Sequence, residues 1–132
     1  MHSHYHAVVW IDHRQARIFH FNAIGAEELT VHPDNPIVNL HHKANSIGSG
    51  HTSEDQTFLE NVAKSLADAG AVLIVGPANA KIELVKHIKR VHPRMAIKIE
   101  GVETVDHPTD GELVAYARNY LKSADLMRPL VQ

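Results

Sequence analysis

The stretch AVLIVGPANAKIELVKHIKRVHP, residues 71–93, decides the fold of this chain. Its first residues, 71–75, form an uninterrupted apolar run rich in β-branched side chains, which predicts a strand buried on both faces. Gly76 and Pro77 then end the strand, because glycine permits a sharp turn and proline donates no backbone hydrogen bond. From Ala78 onward the apolar residues recur with the helical period, so a helix is predicted to follow the turn.

The predicted helix has two unlike faces. Its apolar stripe consists of Ile82, Leu84, Val85, Ile88 and Val91. Its opposite face carries Lys81, Lys86, His87, Lys89 and Arg90, with Glu83 as the one acid. Pro93 predicts the end of the helix, and Ile97 and Ile99 predict the strand that returns to the sheet. Strand, turn, helix and returning strand together predict a parallel β-α-β unit.

The composition is that of one domain with a proper core, since the chain has 132 residues and 44% of them are hydrophobic. The formal net charge of −2 argues against general coating of nucleic acid, which needs a strongly basic domain. The absence of cysteine excludes disulfides and thiolate zinc sites. No apolar run approaches the ~20 residues that span a bilayer, and the first residues lack the layout of a signal peptide. We therefore expect a cytoplasmic protein that makes no membrane contact and needs no cofactor.

Three strand-like segments precede this unit and predict an antiparallel meander: residues 5–11, 16–21 and 28–32. Helices are predicted between and after the later strands, giving the order β-β-β-α-β-α-β-α. Right-handed crossovers would then place the later strands beside the first. The predicted fold is an α/β, ribonuclease-H-like, three-layer domain with a mixed five-stranded sheet and helices on its faces. The exposed edge of the third strand could pair with a second copy, which would make a homo-oligomer.

Two capping boxes mark where helices begin. Ser53 with Gln56, and Thr109 with Glu112, have the spacing in which each side chain bonds the backbone of the other residue. Gly70 stands where the first of these helices would end in a left-handed cap.

The domain layout follows from these elements. Residues 1–132 are predicted to form a single domain with a core at about 5–122. Residues 33–52, which lack any sustained period, form a long loop of the kind that is usually functional or disordered. Residues 123–132 are predicted to be a C-terminal tail.

The strand order alone suggests a two-metal nuclease, which needs several carboxylates that converge at the sheet. Asp12 ends the first strand, and Glu60 is the best acid on the first helix. The third carboxylate would stand at the end of the fourth strand, where the sequence has Gly76. This pattern disfavours a nuclease, and Asp12 is better explained as a turn former.

The twelve histidines raise the question of metal binding. His2, His4 and His6 alternate, so on a strand they would share one face, and imidazole is a common ligand of zinc and copper. His41, His42 and His51 in the long loop could hold a metal or contact phosphate. No helical zinc motif of the H-E-x-x-H type occurs, so no metal site is assigned.

The basic helix face is the strongest indication of a nucleic-acid surface. With Arg94, five Lys and Arg side chains fall within fourteen residues of a chain whose net charge is negative. A sequence-independent phosphate contact would have this composition, as would a solvated helix face.

Two segments resemble the middle domain of archaeal and eukaryotic peptide-chain release factors. Val9-Trp10-Ile11-Asp12 followed by Ala16-Arg17-Ile18-Phe19 is similar to that domain's opening hairpin. Residues 73–84, LIVGPANAKIEL, look like its strand, glycine-containing turn and lysine-bearing helix. The loop at 33–52 falls where the family inserts its catalytic loop. More narrowly, the chain resembles the small bacterial relatives often called translational machinery proteins.

This resemblance implies a fold shared with translation components and a role at the ribosome or on tRNA. Release factors use a Gly-Gly-Gln tripeptide in that loop to promote hydrolysis of peptidyl-tRNA. The corresponding residues here are Ile47-Gly48-Ser49-Gly50-His51, which lack glutamine. His51 is therefore the one catalytic candidate, as a base or a residue that orients water.

Three functions remain open from the sequence. The first is a binding module that contacts ribosomal RNA or tRNA through phosphate-binding cations and the loop. Its predicted residues are Lys81, Lys86, Lys89, Arg90, Arg94, His41, His42, Lys43, Gly48, Gly50 and His51. The second is an enzyme that hydrolyses an ester such as peptidyl-tRNA, and the third is a histidine-dependent metal-binding protein.

Overall fold

A computed structural model describes residues 5–33 and 53–127, with the side chains of 53–55 and 123–127 left out of the description. The strands are β1 (His6–Ile11), β2 (Ala16–Phe21), β3 (Ala26–Val31), β4 (Ala71–Gly76) and β5 (Ile99–Thr104). The helices are α1 (Ser53–Ser65), α2 (Ala80–Val91), α3 (Pro93–Ala96) and α4 (Asp110–Met127).

The five strands form one mixed sheet in the order β3-β2-β1-β4-β5. β2 pairs antiparallel with both β1 and β3, so the first three strands are the predicted meander. β4 pairs parallel with β1 and with β5, which is the predicted β-α-β unit. β1 is therefore a central strand, and Val8 faces Phe19 on one side and Leu73 on the other. The predicted α/β fold with a mixed five-stranded sheet is confirmed, and the ribonuclease-H-like label stays a prediction.

Successive side chains of the central strands point to opposite faces of the sheet and form two cores. Ala7, Val9 and Ile11 pack in a core that contains side chains of α1, α2 and α3. Val8 and Trp10 pack in a second core with side chains of α4. Helices therefore cover both faces of the sheet. Among the helices in the described parts of the chain, none has the length and apolarity to cross a bilayer.

The prediction of which face of α2 is buried is partly wrong. Ile82 and Val91, predicted to be part of the apolar stripe, are each 41% exposed. The buried side chains of the helix are Ala80, Lys81, Leu84, His87 and Ile88. These residues recur at i, i+4 and i+7 or i+8, so they also form one face of a helix. Relative to the predicted face, this buried face is turned about the helix axis. Lys81 and His87 consequently leave the exposed face that the sequence assigned to them.

The region after α2 also differs from the prediction. Pro93 does not only end α2, because it stands at the first position of the short helix α3, where its missing N–H is not needed. This extra turn delays the return to the sheet, so β5 begins at Ile99 and not at Ile97. Ile97, counted as a strand residue from its composition, is 81% exposed.

The ends of three other elements shift. β3 runs over Ala26–Val31 where residues 28–32 were predicted, and α1 ends at Ser65, before Gly70. α4 continues to Met127, into the segment 123–132 that was predicted to be a tail. The sequence offers no glycine or proline between Gly111 and Pro129, so nothing in it stops the helix earlier.

Candidate functional site on helices α1, α2 and α3

The position of α2 is set by the turn that follows β4. The backbone carbonyl of Asn79 accepts hydrogen bonds from the N–H groups of Ile82 and Glu83, which begins the helix directly after the turn. Leu84 and Ile88 then pack into the core between the helices and the sheet. The remaining faces of α2 are therefore presented to α1 and to solvent.

Four exposed cations lie on α2 and α3. Lys86, Lys89 and Arg90 follow the i, i+3, i+4 spacing that places side chains on one helix face, and Arg94 follows in α3. We call Lys86, Lys89, Arg90 and Arg94 the basic surface. The Arg90 Nη2 atom donates a hydrogen bond to Gln56 Oε1 at 3.0 Å, so this surface continues onto α1.

Lys81, predicted to bind phosphate, lies elsewhere. Its side chain is only 8% exposed, and its Nζ atom donates to the Ala78 carbonyl oxygen at 2.6 Å. The ammonium group thus stabilises the turn between β4 and α2. Lys81 is therefore not included in the basic surface.

A cluster of one carboxylate and two imidazoles joins all three helices. His87 Nε2 on α2 lies 2.7 Å from Glu60 Oε1 on α1. His92 Nε2, at the junction of α2 and α3, lies 2.9 Å from Glu60 Oε1 and 3.0 Å from Oε2. The two imidazole rings lie 6.2 Å apart between centroids. We call these three residues the Glu60 cluster.

The electrostatics of the Glu60 cluster favour the ionised carboxylate. The hydrogen bond from His87 is the main cause of a lowered pKa for Glu60, and the hydrogen bond and charge of His92 add to it. Desolvation by burial opposes this change in pKa. The Nδ1 atom of His87 is buried, and no hydrogen-bond partner for it occurs among the described residues.

The candidate RNA-binding, catalytic and metal-binding residues of the long loop, and two of the three N-terminal histidines, fall outside the described residues. This applies to His41, His42, Lys43, Gly48, Gly50 and His51, and to His2 and His4 at the N-terminus. Their roles stay predictions, as does the hydrolase that depends on His51. His6 begins β1, and its ring meets that of Phe21 edge-on at 5.8 Å.

Asp12, the first acid of the disfavoured nuclease pattern, is a turn residue. Its Oδ1 atom accepts hydrogen bonds from the backbone N–H groups of Arg14 at 2.8 Å and Gln15 at 3.0 Å. This is the side-chain turn that the sequence indicated between β1 and β2.

A second polar cluster lies on the opposite face of the sheet. The Arg17 guanidinium lies over the Trp10 ring at 4.9 Å and pairs with Asp110 Oδ1 at 2.6 Å. Trp10 Nε1 donates to the Asp106 carbonyl oxygen at 2.6 Å. These contacts attach the start of α4 and the segment before it to β1 and β2, so we interpret them as structural.

Sequence reasoning did not assemble the Glu60 cluster. The sequence pattern offers Glu60 as a nuclease acid and His87 as part of a basic face, and it gives His92 no role. The one local signal is the pair of histidines on either side of the end of α2. Glu60 lies 27 residues before His87, so only the packing of α1 against α2 brings it to them.

Comparison with solved structures finds the fold of this chain in archaeal Pelota proteins. Pelota from Archaeoglobus fulgidus superposes with a TM-score of 0.65 at 16% identity, over 93% of this chain and 34% of that one. The chain has the fold of part of Pelota. Pelota from Thermoplasma acidophilum gives 0.60 at 17% identity, again over 93% and 34%. The archaeal translation termination factor aRF1 gives 0.49 at 14% identity, over 93% and 39%.

The chain therefore spans about a third of the length of the Pelota proteins that it matches. Neither a protein-family model nor a curated protein sequence matches it. The resemblance to a release-factor-like middle domain is confirmed at the level of the fold.

Proposed function

We propose that this chain is a translation-associated RNA-binding domain that contacts ribosomal RNA or tRNA through the basic surface. The observation that carries the proposal is the grouping of four exposed cations on α2 and α3 in a chain with a net charge of −2. A Pelota-like fold supports a role in translation, since Pelota is a release-factor relative.

The chemistry of the basic surface suits phosphate. Lys86 and Lys89 offer ammonium groups as point charges, and Arg94 offers a planar guanidinium that can bind phosphate through two N–H groups. Cations on one helix face can follow a nucleic-acid backbone without reading its sequence. We therefore expect binding to double-helical parts of RNA through their phosphates, with strong dependence on salt.

The test compares two triple variants that remove the same charges. Lys86→Gln/Lys89→Gln/Arg94→Gln neutralises the basic surface and leaves Arg90, which bonds Gln56, in place. Arg14→Gln/Lys64→Gln/Lys122→Gln removes one arginine and two lysines that are exposed elsewhere. Binding to fluorescently labelled tRNA is measured by anisotropy over a series of KCl concentrations, and binding to ribosomes by co-sedimentation.

Each phosphate contact contributes about 0.7–0.9 to the slope of log affinity against log salt. Loss of three contacts should therefore reduce the slope by about 2–3 in the basic-surface variant and leave it almost unchanged in the matched control. Equal losses in both variants, or binding by the wild type that ignores salt, would show that this surface does not bind RNA.

A further inference from the structure

We propose that the Glu60 cluster is a binding site for a divalent transition-metal ion, with Zn²⁺ the best match. The proposal stands apart from RNA binding, because it uses different side chains and a different chemistry. It also differs from the metal hypothesis drawn from the sequence, which placed the ligands among the histidines of the N-terminus and of the long loop at 33–52.

The donor atoms are those that zinc uses in proteins. Glu60 offers a carboxylate oxygen, and His87 and His92 each offer Nε2; all three atoms lie within 4.8 Å of one another. Two imidazoles and one glutamate form the protein ligand set of a familiar class of zinc sites that keep a fourth position for water. Imidazole nitrogen also disfavours Mg²⁺ and Ca²⁺, which prefer oxygen ligands.

The distances require only a small adjustment. Zinc bonds of about 2.0–2.2 Å in tetrahedral geometry separate neighbouring ligand atoms by about 3.3 Å. Glu60 Oε1 lies 2.7 Å from His87 Nε2 and 2.9 Å from His92 Nε2, which are hydrogen-bond lengths. Entry of the ion would replace these hydrogen bonds and move the donors apart by about half an ångström, within the reach of side-chain rotation.

The Glu60 cluster has one buried ligand and two partly exposed ones. His87 is 6% exposed and is held by the packing of α2. Glu60 and His92 are 27% and 29% exposed, so solvent reaches the cluster from their side. A water molecule could therefore complete the coordination sphere.

The proton balance predicts how tightly the ion binds. Each histidine must offer an unprotonated Nε2 to the metal, so its remaining proton moves to Nδ1. Ligating histidines usually donate that N–H to an acceptor, and loss of such a partner typically costs 10–100-fold in metal affinity. No acceptor for His87 Nδ1 occurs among the described residues. We therefore expect a reversible site about 10–100-fold weaker than one with complete outer contacts.

The test uses the full chain, stripped of metal with EDTA, in a background that replaces His2, His4 and His6 with glutamine. This background removes the competing N-terminal ligands. ZnCl₂ is titrated by calorimetry, and Co²⁺ is added as a spectroscopic probe whose visible absorption reports tetrahedral coordination. His92→Gln removes one ligand at a partly exposed position, and His13→Gln, at an exposed position in the turn after β1, is the matched control.

We expect one Zn²⁺ per chain in the background protein and in His13→Gln, and at least a tenfold loss of affinity in His92→Gln. Glu60→Gln is a second variant, and circular dichroism verifies that both variants fold. Zinc should also raise the melting temperature of the background protein and of His13→Gln only. Equal zinc affinity in His92→Gln and His13→Gln, or no binding in the background protein, would overturn the proposal.

Discussion

Gly76 is the last residue of β4, and it lies against the backbone of the neighbouring strand β1. A Cβ atom built on Gly76 would overlap the carbonyl oxygen of Ile11, which is backbone and cannot rotate away. Alanine at this position therefore has to push the end of β4 away from β1. Non-bonded atoms reach their optimum at about 3.5–4.0 Å, so the displacement needed is about 1 Å or more.

The cost of that displacement can be estimated from the contacts of Gly76. Overpacking of a well-packed site typically costs about 1–3 kcal/mol. The Gly76 carbonyl also accepts the N–H of Val105 at 3.1 Å, and a lost backbone hydrogen bond costs about 1 kcal/mol. We therefore expect Gly76→Ala to lower the free energy of unfolding by about 2–4 kcal/mol.

Urea unfolding followed by circular dichroism measures this change. With a denaturant slope of about 2 kcal/mol/M, in the middle of the usual range, the midpoint should fall by roughly 1–2 M. Gly111→Ala is the matched control, because nothing lies within 4 Å of a Cβ atom at that position in α4. Alanine should there stabilise the helix by up to ~1 kcal/mol. A Gly76→Ala midpoint at or above that of the wild type would refute the packing argument for this turn.

Two further predictions concern pH. Because hydrogen bonding to His87 lowers the pKa of Glu60 below 4.5, its carboxylate stabilises the fold above that pH and loses this effect as the pH falls through the lowered pKa. In metal-free protein, the difference in unfolding free energy between the wild type and Glu60→Gln should therefore shrink as the pH falls below 4.5. The hydrogen bond to Glu103 raises the pKa of Tyr120. The neutral phenol of Tyr120 therefore stabilises the fold below pH 10, and this stabilisation is lost as the pH rises through the raised pKa. Glu103→Gln should lower that pKa in an ultraviolet titration and leave Tyr5, whose pKa is raised by burial, Asp68 and Glu27, unchanged.

The sheet could be predicted because its signals are local. β2 has the bounds that its composition indicated, and β4 is buried along its whole length as a continuous apolar run should be. The second capping box is also confirmed. Thr109 N–H donates to Glu112 Oε1 at 2.9 Å, and Glu112 N–H donates to Thr109 Oγ1 at 3.2 Å. Each of these features depends on residues within a few positions of one another.

The orientation of α2 could not be predicted in the same way. Leu84 and Ile88 belong both to the predicted stripe and to the buried face, so they do not distinguish two rotations of the helix. The choice depends on what α2 contacts. Lys81 can be buried because its ammonium group finds the Ala78 carbonyl, and His87 because its imidazole finds Glu60. These hydrogen bonds offset the free-energy cost of burying a polar side chain, which a helical-wheel projection of α2 does not take into account.

The orientation of α2 also means that the two proposed sites use different faces of this helix. His87 points into the gap between α1 and α2, while Lys86 and Lys89 remain exposed on the same helix. Arg90 contacts Gln56, which lies one helical turn before Glu60 on α1, so the two sites are close neighbours.

Any substitution of buried His87 would disturb α2 and, with it, the basic surface. The partly exposed His92 is therefore the residue that separates metal binding from RNA binding, because its removal leaves the cations of α2 in place.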